Sequence, residues 1–249
     1  MSLREEWTVF RLAVQFLTRL PVGEPAWSAE RMALTPRWYP GVGILVGLIS
    51  GAAFWAGAPV SPLFAGVAAV AAGVLATGAF HEDGFADMCD GLGGGATRER
   101  ALEIMRDSRL GTYGVLGIGL LLAGKVAALA VMGPWTAAAA LVAAHAGGRL
   151  SAVLVMATAP YVRDHGTAKP VERGAPGWGL GASVAAAALV PAALLVPWGA
   201  AAALALLALS HRLVRRRFER RLGGYTGDCL GAVEQAGELA VLAGIAACL

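Results

Sequence analysis

Apolar residues in this chain occur in long runs, and no segment shows the alternation that is typical of a strand. A helix needs roughly 20 apolar residues to cross a hydrocarbon core of about 30 Å. Such runs cover approximately residues 41–58, 62–80, 113–132, 135–158, 179–209 and 231–249. Backbone groups in lipid must be satisfied internally, and a barrel would need alternating strands. The pattern therefore predicts an all-α, polytopic membrane bundle of six to seven transmembrane helices.

Three segments need a more detailed interpretation. The run at 179–209 contains Pro191 and Pro197, which favours two spans joined by a tight turn over one long kinked helix. The last run is apolar only after Glu238, so it either spans the membrane or lies partly in the interface. Residues 10–18 interleave apolar and polar positions, which predicts an N-terminal interfacial amphipathic helix rather than a cleavable signal.

The composition excludes a soluble protein. Hydrophobic residues make up 57% of the chain and charged residues 15%, whereas soluble domains have about 25% charged residues. No linker or change of composition divides the chain, so residues 1–249 are predicted to form a single membrane-embedded catalytic domain. Gly43, Gly47 and Gly51 form a double GxxxG pattern. This pattern allows close helix packing within the bundle, which is the favoured interpretation, or between the chains of a homo-oligomer.

The basic residues predict the orientation in the membrane. If the spans alternate, almost all 20 Lys and Arg residues fall on one side, in the N-terminal region and at 98–109, 163–173 and 212–221. The positive-inside rule makes this side cytoplasmic, which places the protein in the cytoplasmic (inner) membrane. The net charge of +3 needs no nucleic-acid partner, since anionic lipid of the bilayer accounts for juxtamembrane arginines. The isolated cysteines are predicted to be plain thiols; they are Cys89, Cys229 and Cys248.

Candidate chemistry is concentrated in residues 81–114, which hold seven of the 17 acidic residues at the cytoplasmic end of the second run. Asp83, Asp87 and Asp90 are spaced to share one helix face, where their mutual repulsion destabilises a helix. A bound cation removes that repulsion. Oxygen ligands without a Cys or His cluster favour Mg²⁺ or Mn²⁺ over Zn²⁺. The three aspartates are therefore predicted metal ligands.

A glycine cluster and several arginines follow this acidic face. Residues 91–95, Gly-Leu-Gly-Gly-Gly, match neither a P-loop nor a dinucleotide-binding fingerprint, but backbone N–H groups in such a segment are suited to phosphate oxygens. With the arginines, it predicts a substrate that contains pyrophosphate. The candidate substrate-binding residues here are Gly93, Gly94, Arg98, Arg106, Asp107 and Arg109. Glu99, Glu103 and Asp107 are either a second acidic face or, as we favour, partners of these arginines on a surface helix.

Other charged residues are candidates by position. Asp228 lies in a glycine-rich segment on the same side and is a candidate further ligand. Arg149, towards the cytoplasmic end of its span, either binds a substrate phosphate or is structural. Lys125 is predicted to form a structural ion pair, because an uncompensated charge near the bilayer centre costs roughly 2.5 to 3.5 kcal/mol. His81 adjoins the acidic face as a base or ligand. The remaining histidines are predicted to be structural; they are His145, His165 and His211.

Four segments of the chain resemble the cobalamin synthase family, the adenosylcobinamide-GDP ribazoletransferases. They are FLTRLP at 16–21, HEDGFADMCDGLGGG at 81–95, EIMRDSRLGTYG at 103–114 and GYTGDCLGA at 224–232. Their order and spacing fit along nearly the whole chain, and the second motif is highly specific. The family pattern is carried over as catalytic residues onto His81, Asp83, Asp87 and Asp90. The later motifs are matched by Asp107, Arg109 and Asp228.

The resemblance implies a Mg²⁺-dependent membrane enzyme in the last steps of vitamin B12 assembly. In the family's reaction, a ribose hydroxyl of α-ribazole, or of its 5′-phosphate, attacks the corrinoid-bound phosphate of adenosylcobinamide-GDP. The products are GMP and adenosylcobalamin or its phosphate.

Two other classes of protein remain as alternatives. Residues 83–86 are also similar to the start of the CDP-alcohol phosphotransferase signature, although Asp87 stands where that signature has an arginine. A transporter would use the charged residues within the spans as a substrate path. The dense motifs lie at the ends of the spans rather than at the midplane, which favours an enzyme.

Overall fold

The computed structural model describes residues 2–163, 171 and 175–249. Within these residues the chain is helical, apart from connections and one isolated bridge between Tyr161 and Tyr225. The predicted all-α fold is confirmed. Most of the basic segment 163–173, including His165, lies outside the described residues, and so do the predictions made for it.

The described helices agree closely with the apolar runs. They are α1 (Leu3–Leu17), α2 (Ala29–Leu34), α3 (Tyr39–Gly57), α4 (Pro62–Thr77), α5 (Phe80–Gly94), α6 (Arg98–Ile104), α7 (Thr112–Ala130), α8 (Pro134–Thr158), α9 (Trp178–Leu195), α10 (Pro197–Leu222) and α11 (Gly227–Ala246), with a 3-10 turn (Thr35–Trp38) joining α2 to α3. Six segments of the described chain are long and apolar enough to cross a membrane, and the bent pair of α4 and α5 raises the number to seven. The predicted six to seven spans are confirmed.

The run at 179–209 forms two helices, as the favoured interpretation predicted. Pro191 lies inside α9, and the break falls at Val196. Pro197 is the first residue of α10, a position where its missing N–H leaves no hydrogen bond unmade. The arginine-rich residues 212–221 continue α10 as its last turns instead of forming a separate segment.

The N-terminal segment is helical, as predicted, and packs its apolar face onto the bundle. Val9, Leu12 and Leu17 of α1 are buried. The carboxylate of Glu6 accepts a hydrogen bond from Trp38 Nε1 at 2.9 Å and pairs with Arg37 at 3.1 Å. The helix is thus attached to the 3-10 turn that precedes α3, and its location in the membrane interface stays a prediction.

The double GxxxG pattern serves packing within the bundle, which confirms the favoured interpretation. A Cβ atom on Gly43 would collide with the backbone carbonyl of His145, and one on Gly47 would lie 2.6 Å from Val142 Cα. These glycines therefore allow the backbones of α3 and α8 to approach closely.

The last apolar run forms α11, which is long enough to span the membrane. It packs against α5, α7, α8 and α10. Glu234 and Glu238 on this helix are 0% and 2% exposed. The polar start of the run therefore faces protein rather than lipid. For this reason hydropathy alone could not decide whether the run spans the membrane.

A buried ionic network joins α11 to α7 and α8. Glu238 accepts from Lys125 Nζ at 2.6 Å and lies 2.5 Å from His145 Nδ1. Arg149 NH1 lies 2.8 Å from Glu234 Oε1 and 3.2 Å from Glu238 Oε1. The predicted ion pair of Lys125 is confirmed, and His145 has a carboxylate partner, while its purely structural role stays a prediction. His211 is also paired, with the Ser151 hydroxyl at 2.7 Å.

Candidate functional site

A sharp bend between α4 and α5 sets the position of the first acidic motif. Gly78 and Ala79 both have left-handed backbone, with φ of 69° and 61°, and the two helices meet at 94°. The backbone N–H of Arg19, just after α1, donates to the Ala76 carbonyl at 2.8 Å, and the Arg19 side chain packs over Gly78. The motif at 16–21 thus supports the bend from which α5 begins.

Glycines bring α5 into close contact with α11. A Cβ on Gly84 would lie 2.9 Å from Asp228 Cα, and one on Gly231 would lie 2.7 Å from the His81 carbonyl oxygen. The acidic motif and the glycine-rich motif, far apart in sequence, therefore meet at a helix crossing. Any larger residue at Gly84 or Gly231 would push the two helices apart.

A cavity lies at this crossing. Its ionisable lining side chains are His81, Asp83, Arg149, Arg163 and Asp228. Aromatic and apolar side chains form much of the remaining wall; the aromatic ones are Phe16, Tyr39, Phe80 and Tyr161. A few charged groups within an otherwise apolar concave site are typical of a small-molecule binding site.

Three carboxylates gather beside the cavity. Asp83 and Asp228 line it, and Asp87, one turn further along α5, interacts electrostatically with both. Arg163 NH2 lies 2.7 Å from Asp228 Oδ2 and compensates part of the negative charge. A divalent cation would compensate the rest, because carboxylate oxygens are ligands that Mg²⁺ prefers.

Asp90, the third aspartate of the predicted metal set, has a different environment. Its side chain is buried, and its two oxygens accept the backbone N–H groups of Gly111 at 2.7 Å and Gly114 at 2.8 Å. These groups belong to the N-terminus of α7, where a carboxylate is stabilised by the free N–H groups and the helix dipole. Asp90 therefore caps α7 in this structure.

The cavity also contains nitrogen atoms without a hydrogen-bond partner among the described residues. These are His81 Nδ1, Arg149 Nε and Arg163 Nε, all of them buried. Arg149 is 1% exposed, and its NH1 atom is held by Glu234 and Glu238. Because a buried polar group without a partner is costly, these nitrogens indicate that the cavity takes an anionic or polar ligand.

The structure places the glycine cluster in a helix rather than in a loop. Gly91, Gly93 and Gly94 belong to the last turns of α5, and the Gly95 N–H donates to the Gly91 carbonyl at 3.0 Å. Gly93 lies against the Tyr113 ring, and Gly95 against Ala101. The glycines thus allow close packing of α5, α6 and α7, and the expected phosphate-binding loop is not formed here.

The predicted arginines of this region lie outside the cavity lining. Arg98 Nε donates to the Leu222 carbonyl at 2.7 Å, at the end of α10, and Arg106 is exposed. Arg109 binds Asp107 at 2.6 Å, and its hydrogen bonds lower the pKa of Asp107 to about 2.

The second acidic face does not form. Helix α6 ends at Ile104, before Asp107, and Glu103 pairs with Arg100 at 2.8 Å. Pairing with the arginines of a surface helix was the favoured interpretation of these acids. The pair of Glu103 and Arg100 agrees with it, whereas Asp107 pairs with Arg109 outside the helix.

Comparison with known proteins decides which kind of protein has this site. The sequence model described as cobalamin-5-phosphate synthase matches residues 9–246. The chain belongs to that family. The resemblance drawn from the four motifs is confirmed, and so is the enzyme prediction, since the family's members are transferases of cobalamin biosynthesis.

Curated relatives in this family match nearly the whole chain. A protein of Leptothrix cholodnii named adenosylcobinamide-GDP ribazoletransferase is 44% identical, over 98% of this chain and 96% of its own length. Proteins with the same name from Ralstonia pickettii and Bradyrhizobium diazoefficiens are 39% and 41% identical, over 99% and 97% of this chain and 98% and 94% of their own. No solved structure gives a significant match.

Sequence reasoning missed one cavity residue of this cobalamin-5-phosphate synthase family member. Arg163 was noted only as part of a basic segment, yet it lines the cavity and binds Asp228. The N–H of Val162 donates to the Tyr225 carbonyl, and that of Tyr225 to the Pro160 carbonyl, which fixes this segment beside the glycine-rich motif at 224–232. Its arginine lay in no motif, so only the fold could assign it.

Proposed function

We propose that the chain joins adenosylcobinamide-GDP to α-ribazole or its 5′-phosphate, releasing GMP and forming adenosylcobalamin or its 5′-phosphate. Family membership and the names of the curated relatives support this reaction. The structural observation that carries the proposal is the cavity at the crossing of α5 and α11, where Arg149 and Arg163 lie with Asp83 and Asp228. Arginines and a divalent cation are the usual means of stabilising a diphosphate during transfer.

Magnesium fits the donor set of this cavity. We propose that Asp83, Asp87 and Asp228 hold it, because Asp83 and Asp228 line the cavity and Asp87 interacts with both. Asp90, predicted as a ligand, already accepts two backbone hydrogen bonds and is proposed to position α7 instead. When bound, Mg²⁺ supplies charge neutralisation on the phosphates.

The chain's own residues supply binding and proton transfer. The attacking ribose oxygen forms a bond to the corrinoid-bound phosphorus, the bond from that phosphorus to the GMP oxygen breaks, and His81 takes the hydroxyl proton. His81 is suited to this role because its Nδ1 has no hydrogen-bond partner in the described residues. Arg149 and Arg163 bind the phosphate oxygens on which negative charge develops. Substrate contacts of Gly93, Gly94, Arg98, Arg106, Asp107 and Arg109 stay predictions.

A product assay tests the reaction. Purified protein in detergent or liposomes is given adenosylcobinamide-GDP and α-ribazole, with Mg²⁺ or with a chelator. We expect GMP and adenosylcobalamin only with Mg²⁺, and the Asp87→Asn variant is expected to retain under about 1% of the turnover, a loss typical of removed transition-state stabilisation. Absence of product from folded protein, or undiminished turnover in chelator, would contradict the proposal.

The site is proposed to face the cytoplasm, in the inner membrane. The cavity lies at the same end of the bundle as the basic segments, which supports this orientation. An Arg106→Cys variant and the native Cys248, which is exposed after the far end of α11, provide two probes. A membrane-impermeant thiol reagent should label Cys248 in right-side-out vesicles and the Arg106→Cys thiol only in inverted ones. The reverse result would contradict this orientation.

A further inference from the structure

An apolar groove lies on the outside of the bundle, away from the cavity lining. Helices α7 and α10 both pack on α11 and leave an open groove between them. Leu120 of α7 and Leu209 and Leu213 of α10 form its walls and are 73%, 48% and 56% exposed. Its floor is formed by side chains of α11, among them Ala236, Leu239, Ala240 and Ala243. Its walls and floor are therefore apolar, apart from Ser210.

Four arginines surround a second depression at the cytoplasmic end of this groove. They are Arg216, Arg217, Arg220 and Arg221. Leu213, one turn before them on α10, lines both the depression and the groove. The two surfaces are therefore continuous, apolar at one end and strongly basic at the other.

The arginines of this depression are largely uncompensated. Glu219, the acidic residue within this part of α10, binds Arg215 at 2.8 Å instead. Arg221 donates to the Gly95 carbonyl, but its buried Nε has no hydrogen-bond partner in the described residues. For Arg216 and Arg220 the described part of the chain provides no ion pair. A positive-inside signal needs only basic residues on one side of the membrane, so it does not explain why four converge above an apolar groove.

We propose that this surface binds one anionic phospholipid, with an acyl chain in the groove and the phosphate on the four arginines. Charge complementarity selects an anionic headgroup, since guanidinium groups bind phosphate oxygens through several N–H groups at once. The apolar groove selects a lipid over a free phosphate, because a soluble anion gains nothing from it. The site does not depend on the proposed reaction.

Lipid binding to the full chain tests this proposal. The purified protein is delipidated in mild detergent, and native mass spectrometry measures its affinity for phosphatidylglycerol and for phosphatidylcholine with identical acyl chains. We expect tighter binding of phosphatidylglycerol. The Arg216→Gln/Arg220→Gln variant should weaken that binding about 25-fold, since each arginine near a membrane surface contributes roughly a factor of five. Phosphatidylcholine binding should change little.

Matched controls separate the proposed site from general surface charge. The Arg4→Gln/Arg212→Gln variant removes the same charge outside the depression and should leave phosphatidylglycerol affinity unchanged. Ala240→Phe, which fills the floor of the groove, should weaken lipid binding with all arginines present. Equal affinity for the two lipids, or equal losses in both double variants, would overturn the proposal. So would displacement of the lipid by glycerol phosphate at comparable concentration, which would indicate a plain anion site.

Discussion

Two aspartates on the same face of α5 differ in what surrounds them. Asp83 is exposed and lines the cavity, whereas Asp90 is buried and accepts two backbone N–H groups of α7. The two residues look equivalent from their spacing along the helix, because spacing does not show which neighbouring element contacts each side chain. The sequence therefore identified the acidic face but could not separate the capping residue from the cavity residue.

Substitution of Asp90 is expected to reduce stability. Asp90→Ala removes the acceptor for Gly111 and Gly114, and loss of a helix cap costs about 1 to 2 kcal/mol. Thermal unfolding in detergent, followed by tryptophan fluorescence, should show a lower Tm. Asp83→Asn is the matched variant: it should leave Tm unchanged while abolishing turnover. If Asp90→Ala kept the wild-type Tm, a capping role for Asp90 would be wrong.

At the level of helices, the ends of three apolar runs were predicted well and the bend was not. Helices α3, α7 and α8 begin and end within two residues of the predicted runs, because lipid imposes a minimum apolar length. The run at 62–80 instead stops at Thr77, and α5 starts in a new direction. Gly78 is a common helix-ending residue, but the left-handed backbone at Ala79 is imposed by packing and has no sequence signal.

Substitutions at the two residues of the bend should change the thermal stability in opposite directions. Gly78→Ala should destabilise the protein, because a side chain in left-handed backbone costs about 1 to 2 kcal/mol and its Cβ would collide with the Arg19 guanidinium. Ala79→Gly removes a strained conformation and should raise Tm. Thermal unfolding of the two variants provides the comparison. A lower Tm for Ala79→Gly would show that this position is not strained.

For the molecule as a whole, the buried ionic network connects the cavity to the centre of the bundle. Arg149 lines the cavity and is held by Glu234 and Glu238, and Glu238 also binds Lys125. The sequence showed that these charges needed partners, because charge within a span is costly. Which charges pair depends on how α7, α8 and α11 are arranged, and this could not be read from the separate runs.

Substitution of one member of this network should strongly reduce the stability of the protein. Glu238→Gln leaves Lys125 and Arg149 with less compensating charge and is expected to cost about 3 to 5 kcal/mol of stability, as in other broken buried ion pairs. Glu219→Gln removes a partly exposed carboxylate from α10 and should change stability by less than about 1 kcal/mol. Chemical unfolding of both variants in the same detergent measures the difference. Similar small losses in the two would mean that the network is not a main source of stability.

The position of α11 has a consequence for biosynthesis. This helix follows α5, α7, α8 and α10 in the chain, so it leaves the ribosome after all four. Until it arrives, Lys125 and Arg149 are in the membrane without their carboxylate partners, and the cavity lacks Asp228. Insertion of α11 therefore neutralises the membrane-embedded cations and completes the site in one event. An incompletely translated chain would be inactive and would keep two uncompensated cations in the membrane. Membrane quality control could recognise such a chain by this exposed charge.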